Sequence, residues 1–142
     1  MRVLGLDLGT RTLGIAISLS GLIANPYKTI KFKEGQYQDA LQELKEIITK
    51  ENIDTLVLGL PKNMDNSLGF AAKRSLDFKN ILEKEFNLPV ELVDERLSTM
   101  EAENILIASD MRRNKRKEVI DSAAAMIILD TYLKMKGWFN EK

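Results

Sequence analysis

The chain contains no cysteine and no histidine. Those two absences remove disulfides, thiol nucleophiles, imidazole general bases and every Cys/His zinc site at once, so demanding chemistry must fall to carboxylates, lysine or hydroxyls. Net charge is missing as well: 21 lysines and arginines balance 21 aspartates and glutamates. Without a global basic field, any contact with a polyanion has to be local. No apolar run reaches the roughly 20 residues that span a bilayer, and the stretch after Met1-Arg2-Val3 is too short and too acidic for a secretion signal. A soluble, cytoplasmic protein is expected, with no membrane partner. The 3 prolines and 8 glycines nowhere gather into a linker, and no segment repeats. A second hydrophobic core would need roughly another 100 residues, so one domain over residues 1–142 is expected to carry the whole function. Its 44% hydrophobic and 30% charged residues are those of an ordinary globular fold.

What is present reads as alternating elements. Val3 to Leu8 and Leu13 to Leu19 are β-prone runs around a Gly9-Thr10-Arg11-Thr12 turn, and a third run covers Tyr27 to Lys33. These three are expected to form an antiparallel meander. From Tyr37 to Lys50, Leu41, Leu44, Ile47 and Ile48 recur at helical spacing. Thr55 to Leu60 is a continuous apolar run, the pattern of a strand buried on both faces and hence of a parallel sheet. After a turn from Pro61 to Asn66, a helix is expected over Ala71 to Phe86 and a strand over Pro89 to Val93. Ser98 with Glu101 forms a capping box for a helix to Ala108. A last helix, Glu118 to Lys136, carries Ile120, Ala124, Ile127 and Ile128 toward the core. The sum is an α/β fold with a mixed sheet between helices.

Three acidic positions stand out. Alternation along the first strand places Asp7 with Val3 and Gly5 and opposite Leu4, Leu6 and Leu8. A carboxylate at the end of a covered strand needs a hydrogen-bonding turn, a cation or solvent. Asp94 and Glu95 follow the last strand, where open α/β sheets place their ligands. Alternation groups Asp94 with Val90 and Leu92, and Glu95 with Val93 and Glu91, which favours Asp94 as the buried member; either could instead pair with Arg96. Asp121 lies on a helical stripe with Ala124, Ala125 and Ile128, where it could also serve only the positive end of the helix dipole. Should Asp7, an acid of the Asp94-Glu95 pair and Asp121 converge, their repulsion calls for a cation. Oxygen donors select Mg²⁺ or Mn²⁺, and two such ions about 4 Å apart suit phosphodiester hydrolysis.

Taken together, Leu4-Gly-Leu-Asp-Leu-Gly-Thr10, Leu58-Gly-Leu-Pro-Lys-Asn-Met-Asp65, Val93-Asp-Glu-Arg-Leu-Ser-Thr99 and Ile120-Asp-Ser-Ala-Ala124 closely resemble the bacterial pre-16S rRNA nuclease family, also described as Holliday junction resolvases. The Asp-Glu-Arg-Leu-Ser-Thr string is the most specific of them. The resemblance implies an RNase H-like fold with a five-stranded sheet, its first three strands antiparallel and the others parallel, with helices on both faces. It implies a metal-dependent nuclease active in ribosome maturation, at the 5′ end of pre-16S rRNA. It also implies that the acids are Asp7, Glu95 and Asp121, which moves the choice from Asp94 to Glu95. Two positions depart from the family pattern: Asn66 stands where glycine is usual, and Leu19 where an aspartate often ends the second strand. Asparagine tolerates the left-handed backbone that the glycine would supply.

Basic residues complete the expectation. Arg112, Arg113, Lys115, Arg116 and Lys117 crowd one six-residue stretch, read as an exposed loop that is either simply solvated or in contact with phosphate. Arg11 and Arg96, beside two of the acids, can act likewise. The expected reaction is in-line attack of an activated water on a phosphodiester of structured RNA. Branched DNA, cut by a homodimer acting as a junction resolvase, and nucleic-acid binding without catalysis are the alternatives. A further rival rests on Leu6-Asp-Leu-Gly-Thr10, which resembles the phosphate hairpin of actin-like ATPases and sugar kinases. Those enclose nucleotide between two lobes, more than 142 residues supply.

Overall fold

The computed structural model describes residues 2–61, 69–94 and 113–140, with the side chains of the last helix described over 123–136. The element order is β1 (Val3–Leu8), β2 (Thr12–Ser18), β3 (Asn25–Lys31), α1 (Gln38–Glu51), β4 (Thr55–Leu60), α2 (Phe70–Phe86), β5 (Val90–Asp94) and α3 (Arg113–Asn140). The expected helix from Ser98 to Ala108 and the turn after Pro61 lie outside the described residues.

The strands form one five-stranded sheet in the order β3-β2-β1-β4-β5. Both pairings within the meander are antiparallel, whereas β4 joins β1, and β5 joins β4, in parallel. Helix α1 carries the chain from the edge strand β3 back across the sheet to β4, which is why the helical period begins where the meander ends. Helices α1 and α2 both stop at an asparagine in the left-handed conformation, Asn52 (φ 53°) and Asn87 (φ 52°), and each is followed within a few residues by a strand.

Alternation divides the core into two layers. Leu4, Leu6, Leu8, Leu13, Ile15, Leu56 and Leu58 face one way and pack with Leu44 of α1 and Phe78 and Leu82 of α2. Val3, Ala16, Val57 and Val93 face the other way, against Ala125, Ile128, Leu129 and Tyr132 of α3. Fully burying each large aliphatic side chain contributes about 1.5–3 kcal/mol, so the first layer, richer in leucine, is the main support of the sheet. The second is built for closeness. A Cβ placed on Gly5 would lie 2.9 Å from the Ala125 carbonyl oxygen, so α3 rests almost directly on the β1 backbone.

Two boundaries differ from the sequence reading. Strand β3 occupies Asn25–Lys31 rather than Tyr27 to Lys33; Phe32, just past its end, follows Ile30 into the core beside Tyr37, with ring centroids 5.4 Å apart. Helix α3 begins at Arg113, not Glu118, and continues to Asn140, past Lys136. Arg113, Lys115, Arg116 and Lys117 therefore belong to its first turns and are not a loop. Lysine and arginine are good helix formers and no proline or glycine interrupts the run, so nothing local stops the helix from starting early.

Candidate nuclease site

Asp7 lies on the face of the sheet opposite its leucine layer. On β1 it belongs with Val3 and Gly5, so it faces α3, and it is half-buried. Its antiparallel partner is Gly14, and Gly14 in turn pairs with Thr29 of β3. On the other flank, Gly59 of β4 stands one step beyond the last paired residues, Leu6 and Leu58, and it pairs with Val93. The carboxylate thus has a glycine on each neighbouring strand, with no side chain on either to cover it. The sequence reading did not single out Gly14 or Gly59. Only the register, which follows from the whole sheet, brings them beside Asp7.

The hairpin after Asp7 is tight: the Gly9 amide donates to the Thr12 carbonyl at 2.8 Å, and a Cβ on Gly9 would stand 2.9 Å from Thr12 Oγ1. The Phe32 amide donates to the Arg11 carbonyl at 2.9 Å, which pins the hairpin to the end of β3. Arg11 itself is exposed.

The pair of acids after β5 is resolved for one member. Asp94 pairs across from Leu60 and continues the Val90 and Leu92 face, the layer that packs on α1 and α2, and it is exposed. It therefore lies on the opposite side of the sheet from Asp7. This corrects the pull of alternation toward Asp94 as the buried acid: the grouping with Val90 and Leu92 holds, but the strand has left the core by its last residue. Glu95 and Arg96 lie outside the described residues, as does Arg112.

Helix α3 carries Asp121 in its backbone, on the stripe of Ala124, Ala125 and Ile128. The direction of the helix follows from its far end. Tyr132 feels the charges of Glu91 and Asp54, and Asp54 accepts the Arg2 amide at 2.9 Å, at the start of β1. The helix thus runs against β1, and its beginning points toward the strand ends. From the contact of Ala125 with Gly5, Asp121 lies four residues back, about 6 Å along the helix axis. Asp7 lies two residues on, about 7 Å along the strand. Both backbone positions therefore lie on the carboxyl-end side of β1 relative to the contact of Ala125 with Gly5.

Among the described residues no three acids stand together; Glu95 and the side chain of Asp121 lie outside them. The donor chemistry is nevertheless one-sided. With no histidine or cysteine in the chain, oxygen is the available ligand, which suits hard divalent cations. Asp7, half-buried among such donors, is a carboxylate of the kind these cations take.

Comparison with known proteins bears on this geometry. Residues 1–135 match the family described as RuvX: Holliday junction resolvase. A relative from Geobacillus sp. (strain WCH70) is 52% identical over 137 residues, covering 96% of this chain and 99% of the relative. One from Bacillus subtilis (strain 168) is 50% identical over 134 residues, covering 94% and 97%. Both carry the provisional name pre-16S rRNA nuclease. Among solved structures, T. thermophilus RuvC in complex with a Holliday junction substrate superposes with a TM-score of 0.61 at 15% identity, over 96% of each chain. RuvC of Thermus thermophilus gives 0.57 at the same identity and coverage. At that identity the likeness is one of fold, and it is the RNase H-like fold that the sequence motifs imply.

Proposed function

The chain belongs to the RuvX family of Holliday junction resolvases and is a nuclease; from that premise we propose that it hydrolyses phosphodiester bonds of precursor 16S rRNA, at a site formed by Asp7, Glu95 and Asp121. The observation that supports this reading is the placement of Asp7 on the face covered by α3, the helix whose backbone carries Asp121, with Gly14 and Gly59 on the neighbouring strands. Asp94 falls on the far face, which leaves Glu95 as the acid contributed by the end of β5.

These three carboxylates would hold Mg²⁺ or Mn²⁺, which when bound supplies Lewis-acid polarisation of phosphate and of water. The rest is the work of the chain. The rigid central strand fixes Asp7 against rotation of the site, since β1 is paired on both sides. Gly14 and Gly59 bring no side chain of their own over Asp7, and cations would steady the phosphates of the substrate strand. Arg113, Lys115, Arg116 and Lys117 in the first turns of α3, with Arg112, Arg11 and Arg96, are the phosphate contacts of this reading. Cations in the first turn of a helix stand against its dipole. A bound polyanion relieves that opposition.

In this reading one domain over residues 1–142 acts in the cytoplasm, where precursor rRNA is made. A second reading, branched DNA as substrate, is favoured by the description of the family, and it requires a homodimer because both strands of a junction must be cut. The deciding experiment offers precursor rRNA and a four-way DNA junction side by side, with and without Mn²⁺. Cleavage of the RNA that disappears in Asp7→Asn supports the proposal. Cleavage unaffected by Asp7→Asn, or none with either substrate, overturns it.

A further inference from the structure

Phe70 opens α2 with 91% of its surface exposed, more than any other large apolar side chain among the described residues. The other described aromatic side chains are buried or half-buried: Phe32, Phe78 and Tyr132 lie in the core, and Tyr27, Tyr37 and Phe86 pack against it. A phenyl ring held in water adds nothing to that core, and both its faces are open to a flat partner.

One turn along the helix the charges are positive. Lys73 and Arg74 follow Phe70 by three and four positions, the spacing that sets residues on one face. Among the described residues no acid pairs with either of them, the exposed Asp77 included, and Arg74 Nε is buried with no acceptor. The N-cap, Gly69, has no side chain to accept from the first amides, and the first turn holds no acid. An unmet guanidinium donor and an uncapped positive helix end are both completed by an anion.

The connection fixes where this turn stands. Leu58 of β4 lies beside Leu6 of β1 in parallel, so β4 ends at Leu60 at the same end of the sheet as Asp7. Helix α2 joins β4 to the parallel β5 and must therefore run back from that end, which places Phe70 there. The Phe78 ring meets Tyr37, the N-cap of α1, at 5.1 Å, and Phe70 lies eight residues earlier, about 12 Å farther along the axis. The aromatic turn of α2 and the basic turns of α3 thus flank the carboxyl edge of the sheet from opposite faces.

We infer that Phe70 is a stacking platform for an unpaired base of the substrate strand, with Lys73 and Arg74 holding the phosphate next to it. This rests on the nuclease reading above and adds a requirement for single-stranded nucleic acid near the bond being cut, because a base in a duplex has its faces covered by its neighbours. Stacking on a phenyl ring accepts every base, so the contact selects strand state and not sequence.

The test uses the full chain in EDTA, so that cleavage plays no part, and two RNA oligonucleotides of equal length, one intact and one abasic. Phe70→Ala is expected to bind the intact strand about fivefold to a hundredfold more weakly, the range of one lost stacking contact, and the abasic strand as the unaltered protein does. Phe70→Tyr keeps the intact-strand affinity. Because Phe70 is exposed, the urea midpoint of Phe70→Ala should match that of the unaltered protein. Undiminished binding of the intact strand by Phe70→Ala, an equal loss on the abasic strand, or no binding by the unaltered protein overturns the inference. Failure of the nuclease reading is separate and shows as absence of Mn²⁺-dependent cleavage by the unaltered protein.

Discussion

Gly5 of β1 and Leu129 of α3 pack so closely that a methyl group on Gly5 would stand 2.6 Å from Leu129 Cβ. No rotamer change relieves this, because Cβ is fixed to the backbone and the Ala125 carbonyl closes the other side. Gly5→Ala must therefore push α3 away from the sheet. The expected loss is about 1–3 kcal/mol, the usual scale of overpacking, read as a lower urea midpoint. Because the same helix carries Asp121, cleavage should fall further than stability explains, and an unaltered midpoint would show that the helix does not rest on β1.

The two faces of β5 give a sharp contrast. Asp94→Asn removes an exposed carboxylate on the face away from Asp7, and Mn²⁺-dependent cleavage should stay within a few-fold of the unaltered protein. Glu95→Gln should reduce it by about a hundredfold or more, the scale of deleting a preorganised charge contact at a reacting phosphate. The reverse order of effects would reassign the acid.

Filling the bare flank of Asp7 tests access. Gly14→Val places a branched side chain on the strand position paired with Asp7. Valine suits a strand, so secondary structure should survive by circular dichroism. Cleavage is expected to fall at least about tenfold, because one misplaced ångström near the chemistry costs on the order of a hundredfold. Full activity in a folded Gly14→Val protein would remove the glycine flank from the site.

Stability should respond to pH at both extremes through the end of the molecule remote from Asp7. Burial alone would raise the Asp54 carboxyl, but the Arg2 amide at 2.9 Å, the Thr55 hydroxyl at 2.8 Å and nearby positive charge outweigh it and hold it below its ordinary value. Its contribution is present above about pH 4 and lost as pH falls through the lowered folded value. Asp54→Asn should flatten the acid limb of a stability profile. Burial, with the charges of Glu91 and Asp54, raises the Tyr132 phenol. Stability should hold below about pH 10 and fall as pH rises from there through the folded value, since the unfolded chain releases that proton first. Tyr132→Phe should remove this alkaline decline; an identical decline in the variant would place its origin elsewhere.

Much of the fold is legible in the chain because it depends on local periods. Alternation around the Gly9 to Thr12 turn encodes the meander, the spacing of Leu41, Leu44 and Ile47 encodes α1, and the unbroken run from Thr55 to Leu60 encodes a central parallel strand; the structure has each of these. The start of α3 was not legible, since a run of cations reads equally as loop or helix until packing chooses. Nor was the fate of Asp94: alternation assigns a residue to a face but does not say where along that face the core ends.

The amino-acid sequence by itself determined the element order and the exclusion of imidazole and thiol chemistry from a chain without histidine or cysteine, because composition and short-range period are local properties. Tertiary structure alone decided which helix covers which face, and therefore that Asp7 looks toward α3 while Asp94 looks away. It alone set Gly14 and Gly59 beside Asp7 and Phe32 opposite Arg11. Those neighbours come from different strands, and their meeting depends on register across the whole sheet, which no window of sequence contains.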